Sequence, residues 1–163
     1  MQSDQELNEW FARTVEEGRL SMYRVARGMV RTDADAEDAV SAATLSAFEH
    51  LGRIRSQEAL PGYLMRCVIN ACRAILRRQK REIATEELEE VAPAALAETP
   101  AWMYVHQLPE KYRLPILLRY AENMPLREVS RILRLPKGTV ASRCSRGLEI
   151  LRKQMIKEGS GDE

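Results

Sequence analysis

Within "PGYLMRCVINACRAILRRQKR" (residues 61–81), Arg66, Asn70, Arg73, Arg77 and Arg81 follow one another at steps of four, three, four and four. On a helix, where each residue turns by about 100°, this spacing stacks them on one side. The resulting rail is about 22 Å long, enough to follow several phosphates of a nucleic acid. Guanidinium groups suit both phosphate forks and unpaired bases, on which they stack. A solvated helix face usually sets Glu one turn from Arg, but no acidic residue occurs here before Glu82.

A second set lies in "LPKGTVASRCSRGLEILRKQM" (residues 135–155). Helical spacing puts Val140, Cys144, Leu148, Leu151 and Met155 on one stripe and Thr139, Ser142, Arg146 and Glu149 nearly opposite. Just upstream, "PLREVSRILRLP" sets Leu126, Val129, Ile132 and Leu133 at core spacing behind Pro125. Two short helices joined by a tight turn read as a helix-turn-helix, whose second helix enters a major groove. An ordinary helical hairpin with solvated arginines is the plainer alternative.

The elements that must hold these faces are helical. Leu7, Trp10 and Phe11, then Leu20, Tyr23, Val25, Ala26 and Met29, predict one or two helices over 5–31 with Gly18 as a break. Thr32 and Asp33 look like a cap for a helix carrying Ala36, Val40, Ala43, Ala47 and Leu51. A loop is expected over 52–60, and Pro61 opens the rail helix, with Leu64, Cys67, Val68, Ala71 and Ile75 on its apolar face. "LPEKYRLPILLRYAE" adds another amphipathic helix. Strand-like alternation, repeats and low-complexity tracts are not seen, so the expected fold is all-α with two small domains.

Charge supports that division. The 163 residues carry a formal net charge of +1, but residues 1–60 hold 7 basic and 11 acidic side chains, net −4. Residues 61–82 are net +5, residues 83–100 net −5 and residues 101–163 net +5. Two basic blocks flanking an acidic, Pro-punctuated stretch imply two separate contacts with a polyanion. The expected domains are 1–82 and 101–157, with a linker at 83–100 and a disordered tail at 158–163.

Other chemistries find little support. Cys67, Cys72 and Cys144 have no CxxC spacing and read as buried reduced thiols. His50 and His106 lack companion ligands, so no metal or cofactor is expected. A phosphate-cradling Gly-rich loop and a nucleophile elbow are both missing, which argues against an enzyme and a small-molecule substrate. Without a secretory leader or a long apolar run, the chain is expected in the cytoplasm rather than in a membrane.

Three stretches, in order, resemble the extracytoplasmic-function (ECF, group 4) sigma factors of bacterial RNA polymerase. "DAEDAVSAATLSAFEHL" is similar to region 2.2, "LPGYLMRCVINACRAILRRQKR" to regions 2.3 and 2.4, and "LPEKYRLPILLRYAENMPLREVSRILRLPKGTVASRCSRGLEILRK" to region 4. The resemblance implies a sigma region 2 bundle and a region 4 helix-turn-helix that bind core RNA polymerase and promoter DNA, with an anti-sigma factor as a further partner. It places Tyr63, Arg66, Asn70, Arg73, Arg77, Arg78 and Arg81 at the minus-10 element, Tyr63 standing where the family usually has Trp. It also makes residues 52–60 the segment that pockets a flipped base. Lys137, Thr139, Ser142, Arg143, Ser145 and Arg146 would meet the minus-35 element, with Lys137 and Arg143 on phosphates. Asp38, Ser41 and Leu45 would meet core polymerase.

The chain departs from the family pattern at Ser41-Ala42, often Gln-Glu, at Ala74, often Asp, at Ala141, often Lys or Arg, and at Arg134, commonly Gly. A free-standing helix-turn-helix regulator is the competing reading; it accounts for residues 109–155 but leaves the rail unexplained.

Overall fold

The computed structural model describes residues 3–54, 56–83 and 100–159. All secondary structure among them is helical, as predicted, and the chain divides into two units, residues 1–89 and 90–163.

The first unit is a three-helix bundle. Helix α1 (Asp4–Met29) opens on a capping box in which Ser3 Oγ accepts the Glu6 N–H while Glu6 accepts the Ser3 N–H. It runs unbroken through Gly18, where the sequence allowed a break. A Cβ there would meet only Met22 at 3.9 Å. The glycine thus costs about 1 kcal/mol of helix propensity, less than the packing of Phe11, Met22, Val25 and Met29 on either side restores.

Thr32 caps α2 (Asp33–Glu49) by accepting the Asp35 N–H at 3.1 Å. Short 3₁₀ turns at Leu51–Arg53 and Gln57–Ala59 occupy the expected loop, and α3 (Leu60–Ile83) follows with Pro61 in its first turn. The buried face of α3 comprises Leu60, Leu64, Met65, Val68, Ile69, Cys72 and Ile75. It is wider than the predicted stripe because α3 packs on both α1 and α2. Cys67 and Ala71, expected at its centre, are only half-buried.

The second unit begins with α4 (Pro100–Gln107), which the sequence had not singled out as a separate helix. Arg113 of α5 (Glu110–Ile116) closes the α4–α5 elbow by donating Nε and Nη2 to the Leu108 carbonyl at 3.1 and 2.8 Å. Pro115 has no N–H to return to the preceding turn, and the helix then widens into a π turn over Leu117–Ala121. Helices α6 (Leu126–Leu133) and α7 (Lys137–Gly159) form the predicted helix-turn-helix.

Two positions set that motif. Arg134 adopts the left-handed conformation (φ 55°, ψ 46°) at the position where the family commonly has glycine; the following Leu135 N–H reaches Ser130 O at 3.1 Å. Gly147 lets α7 press against α5, since a Cβ there would lie 2.4 Å from Ile116 Cδ1. The packed line on α7 is therefore Val140, Cys144 and Gly147 with half-buried Leu151. Leu148 and Met155, expected in the core, are 41% and 45% exposed because the contact follows the small residue rather than the larger one beside it.

The ends of both units extend into stretches read as non-helical. Ile83 closes α3 and Pro100 opens α4, so the two ends of the predicted 83–100 linker are helical, and residues 84–99 lie outside the described residues. Glu158 and Gly159 continue α7 into the stretch expected as a tail, of which residues 160–163 lie outside the described residues.

Candidate functional site

In the first unit, burial of one side of α3 turns its cationic side outward. Asn70, Arg77, Arg78 and Arg81 are exposed, while Arg66 and Arg73 are half-buried and engaged by neighbours. The rail is thus fully presented toward the C-terminal half of α3 and partly folded down toward its start. Tyr63, also half-buried, hydrogen-bonds the Cys67 side chain. Burial and the nearby Cys67 hold its phenol above the usual range, so it stays a neutral ring at the head of the rail. Burial likewise raises the Cys67 and Cys144 thiols, which keeps them protonated and unreactive.

The outer face of α2 is unusual for a helix. Its buried stripe is Ala36, Ala39, Ala43 and Ala47, while Leu45 and Phe48 are 59% and 47% exposed. Alanines allow α2 to approach its partners closely, and the large apolar residues face away. With Phe11, Val15 and Leu20 of α1 they line an open groove of about 950 Å³. Phe11 and Phe48 meet with ring centroids 5.4 Å apart. Ser41 and Leu45, two predicted polymerase-contact residues, line this groove. Asp38 is exposed one turn before Ser41 on the same helix.

The α1 wall of the groove was missed at the level of sequence, where Leu20 was placed in the core. Its phase carried the signal: Leu20 lies about 120–180° round the helix from Met22, Val25, Ala26 and Met29, and it is 64% exposed. An apolar surface of this kind on a small unit marks a protein-contact site.

In the second unit Lys137, Ser142, Ser145 and Arg146 are exposed on α7, and Thr139 and Arg143 are half-buried. The exposed set occupies the N-terminal turns, the part of a recognition helix that reaches base edges. Glu149 terminates this polar face. Arg146 Nη1 lies 3.3 Å from Glu149 Oε2, and Lys153 Nζ lies 3.2 Å from Glu149 Oε1. Lys153 first, and Arg146 second, hold the Glu149 carboxyl below its ordinary value. Arg146 thus points toward the C-terminal side of the polar face.

Two helical units, one with a cationic helix beside an apolar groove and one with a helix-turn-helix, define a sigma-70-type initiation factor. Residues 15–82 match the family described as Sigma-70 region 2, and residues 101–151 match that described as Sigma-70, region 4. The RNA polymerase sigma-E factor of Streptomyces coelicolor is 30% identical over 142 residues, covering 83% of this chain and 80% of that protein. The ECF RNA polymerase sigma factor SigM of Mycobacterium tuberculosis is 35% identical over 131 residues, covering 77% of this chain and 66% of SigM. In fold, the chain matches the sigma factor RpoE crystallised with the anti-sigma factor NepR from Bartonella quintana. That match has a TM-score of 0.76 at 18% identity and covers 90% of this chain and 96% of RpoE. The chain belongs to the ECF group of the sigma-70 family.

Proposed function

We propose that this chain binds core RNA polymerase and directs it to promoters, with the two units dividing the work. The α1–α2 groove, through Leu20, Ser41, Leu45 and Phe48, docks an apolar helical surface of the polymerase, and Asp38 extends that contact. On α3, Asn70, Arg73, Arg77, Arg78 and Arg81 follow the minus-10 DNA, while Tyr63 and Arg66 face the opened strand. The segment 52–60 receives a flipped base. On α7, Ser142, Ser145 and Arg146 read minus-35 base edges, Thr139 supports them, and Lys137 and Arg143 hold phosphates.

The single observation that carries this reading is the pairing, in the first unit, of a cationic helix with an apolar groove. A free-standing regulator accounts for α5, α6 and α7 and leaves both features idle. The same groove, with its exposed leucines and phenylalanine, suits an anti-sigma segment that would shield it from polymerase. Such a protein works in the cytoplasm and supplies recognition and strand opening, leaving bond chemistry to the polymerase. No described helix is long and apolar enough to cross a membrane.

Core dependence tests the reading. Promoter fragments should be shifted in a gel specifically only when core polymerase accompanies the protein. Specific shifts of equal strength by the protein alone would favour the regulator.

A further inference from the structure

The first turn of α2 is tied to both neighbouring helices. Arg27, 1% exposed near the end of α1, donates Nε to Asp33 Oδ1 at 2.7 Å and Nη1 to Val30 O at 2.9 Å. From the other side, Gln79 Nε2 of α3 donates to Asp35 Oδ2 at 2.8 Å, across 44 positions of sequence. Asp35 is itself fixed, because its N–H is the one that Thr32 Oγ1 accepts.

Gln79 sits in the part of α3 that has least packing. The last fully buried residue of the helix, among those described, is Ile75. Beyond it, among the residues whose burial is described, Arg77, Arg78, Lys80, Arg81 and Glu82 are exposed and Leu76 and Gln79 are half-buried. The densest run of cations on the rail is thus carried by helical turns with little apolar anchorage. The Gln79 hydrogen bond to a carboxylate, between partly buried groups, is a directional contact within these turns.

We propose that Gln79 is a positioning residue for promoter opening: through Asp35 it fixes the C-terminal turns of α3, and with them Arg77, Arg78 and Arg81, against α2. This rests on the proposed reading of α2 as the polymerase-docking helix and of α3 as the DNA rail. Polymerase seated on one face of α2 is then mechanically linked, through the Gln79 amide, to the cations that hold DNA. Glutamine suits the position because it donates to Asp35 without adding a charge that would repel or compete with its arginine neighbours.

The test uses the full chain with core polymerase and a promoter fragment recovered by run-off transcription on genomic DNA, prepared as closed duplex and with a pre-melted bubble. Gln79→Ala should keep core affinity and thermal midpoint, lose roughly 3- to 10-fold in transcript from the duplex, as expected for one such hydrogen bond, and recover on the bubble template. Asp35→Asn keeps a side-chain oxygen that can accept from the Gln79 amide and should hold duplex transcription within about twofold of wild type, whereas Asp35→Ala should reproduce the loss seen with Gln79→Ala. Wild-type yield from Gln79→Ala, equal losses on both templates, a parallel loss of core affinity, or an Asp35→Asn variant as impaired as Asp35→Ala would overturn the proposal. Failure of the sigma-factor reading itself would show separately, as no promoter-specific transcript from the wild-type chain.

Discussion

Helices α3 and α7 are similar in length, 24 and 23 residues, and both bury one side and turn cations outward, yet they are built for different contacts. The packed side of α3 is broad and made of large residues, and its outward side holds Asn70, Arg77, Arg78 and Arg81 with no acid among them. The packed side of α7 narrows to Val140, Cys144 and Gly147, and its outward side ends at Glu149, which pairs with both Arg146 and Lys153. A row of outward cations gives affinity that salt screens and sequence hardly changes. One arginine held by a carboxylate, beside small hydroxyl residues, gives less charge but a defined direction, which base readout requires.

Gly147→Val offers the sharpest break. The new side chain meets Ile116 and Tyr112, so the second unit should lose about 1–3 kcal/mol in chemical denaturation. Ala74→Val, at an exposed position of α3, should cost the first unit no more than the helix-propensity difference, about 0.6 kcal/mol. Next in size, Arg146→Ala should weaken promoter binding by about 1–3 kcal/mol and relax discrimination within the minus-35 element, as measured on a panel of single-base variants. Equal losses across the panel would move Arg146 to the phosphates and erase the distinction between the helices.

Arg134→Gly should stabilise the second unit by about 1 kcal/mol, because the left-handed conformation is already adopted. Arg77→Ala should lower the salt slope of promoter binding by about 1 without changing sequence preference. The smallest effect concerns pH. Glu149 has a lowered carboxyl pKa in the folded chain, so its ion pairs contribute stability above the unfolded glutamate value and lose it as pH falls through the folded one. The difference in stability between wild type and Glu149→Gln should therefore be constant above about pH 5 and shrink in more acidic solution.

Much of this was legible in the sequence, since helical phase alone separates Arg77 and Arg81 from Leu64 and Val68, and Ser142 from Val140 and Cys144. Thr32, Pro61 and Pro125 marked helix starts correctly, whereas the left-handed turn at Arg134 shows in no property of arginine itself and was flagged only by the family's usual glycine there. Phase failed where packing depends on size. On α7 a glycine, not the neighbouring Leu148, takes the contact, and on α2 alanines go inward while Leu45 and Phe48 go outward. A rule that places large apolar residues inside cannot find a groove made by exposing them. Nor can sequence spacing reveal that Gln79 meets Asp35, because only tertiary folding brings the two helices together.

The central claim is that this chain gives RNA polymerase promoter choice. Run-off transcription with purified core polymerase on fragmented genomic DNA from the source organism, with and without the protein, tests it directly. The account predicts discrete start sites that appear only when the protein is added. Binding to core or to DNA with no new start site would contradict it.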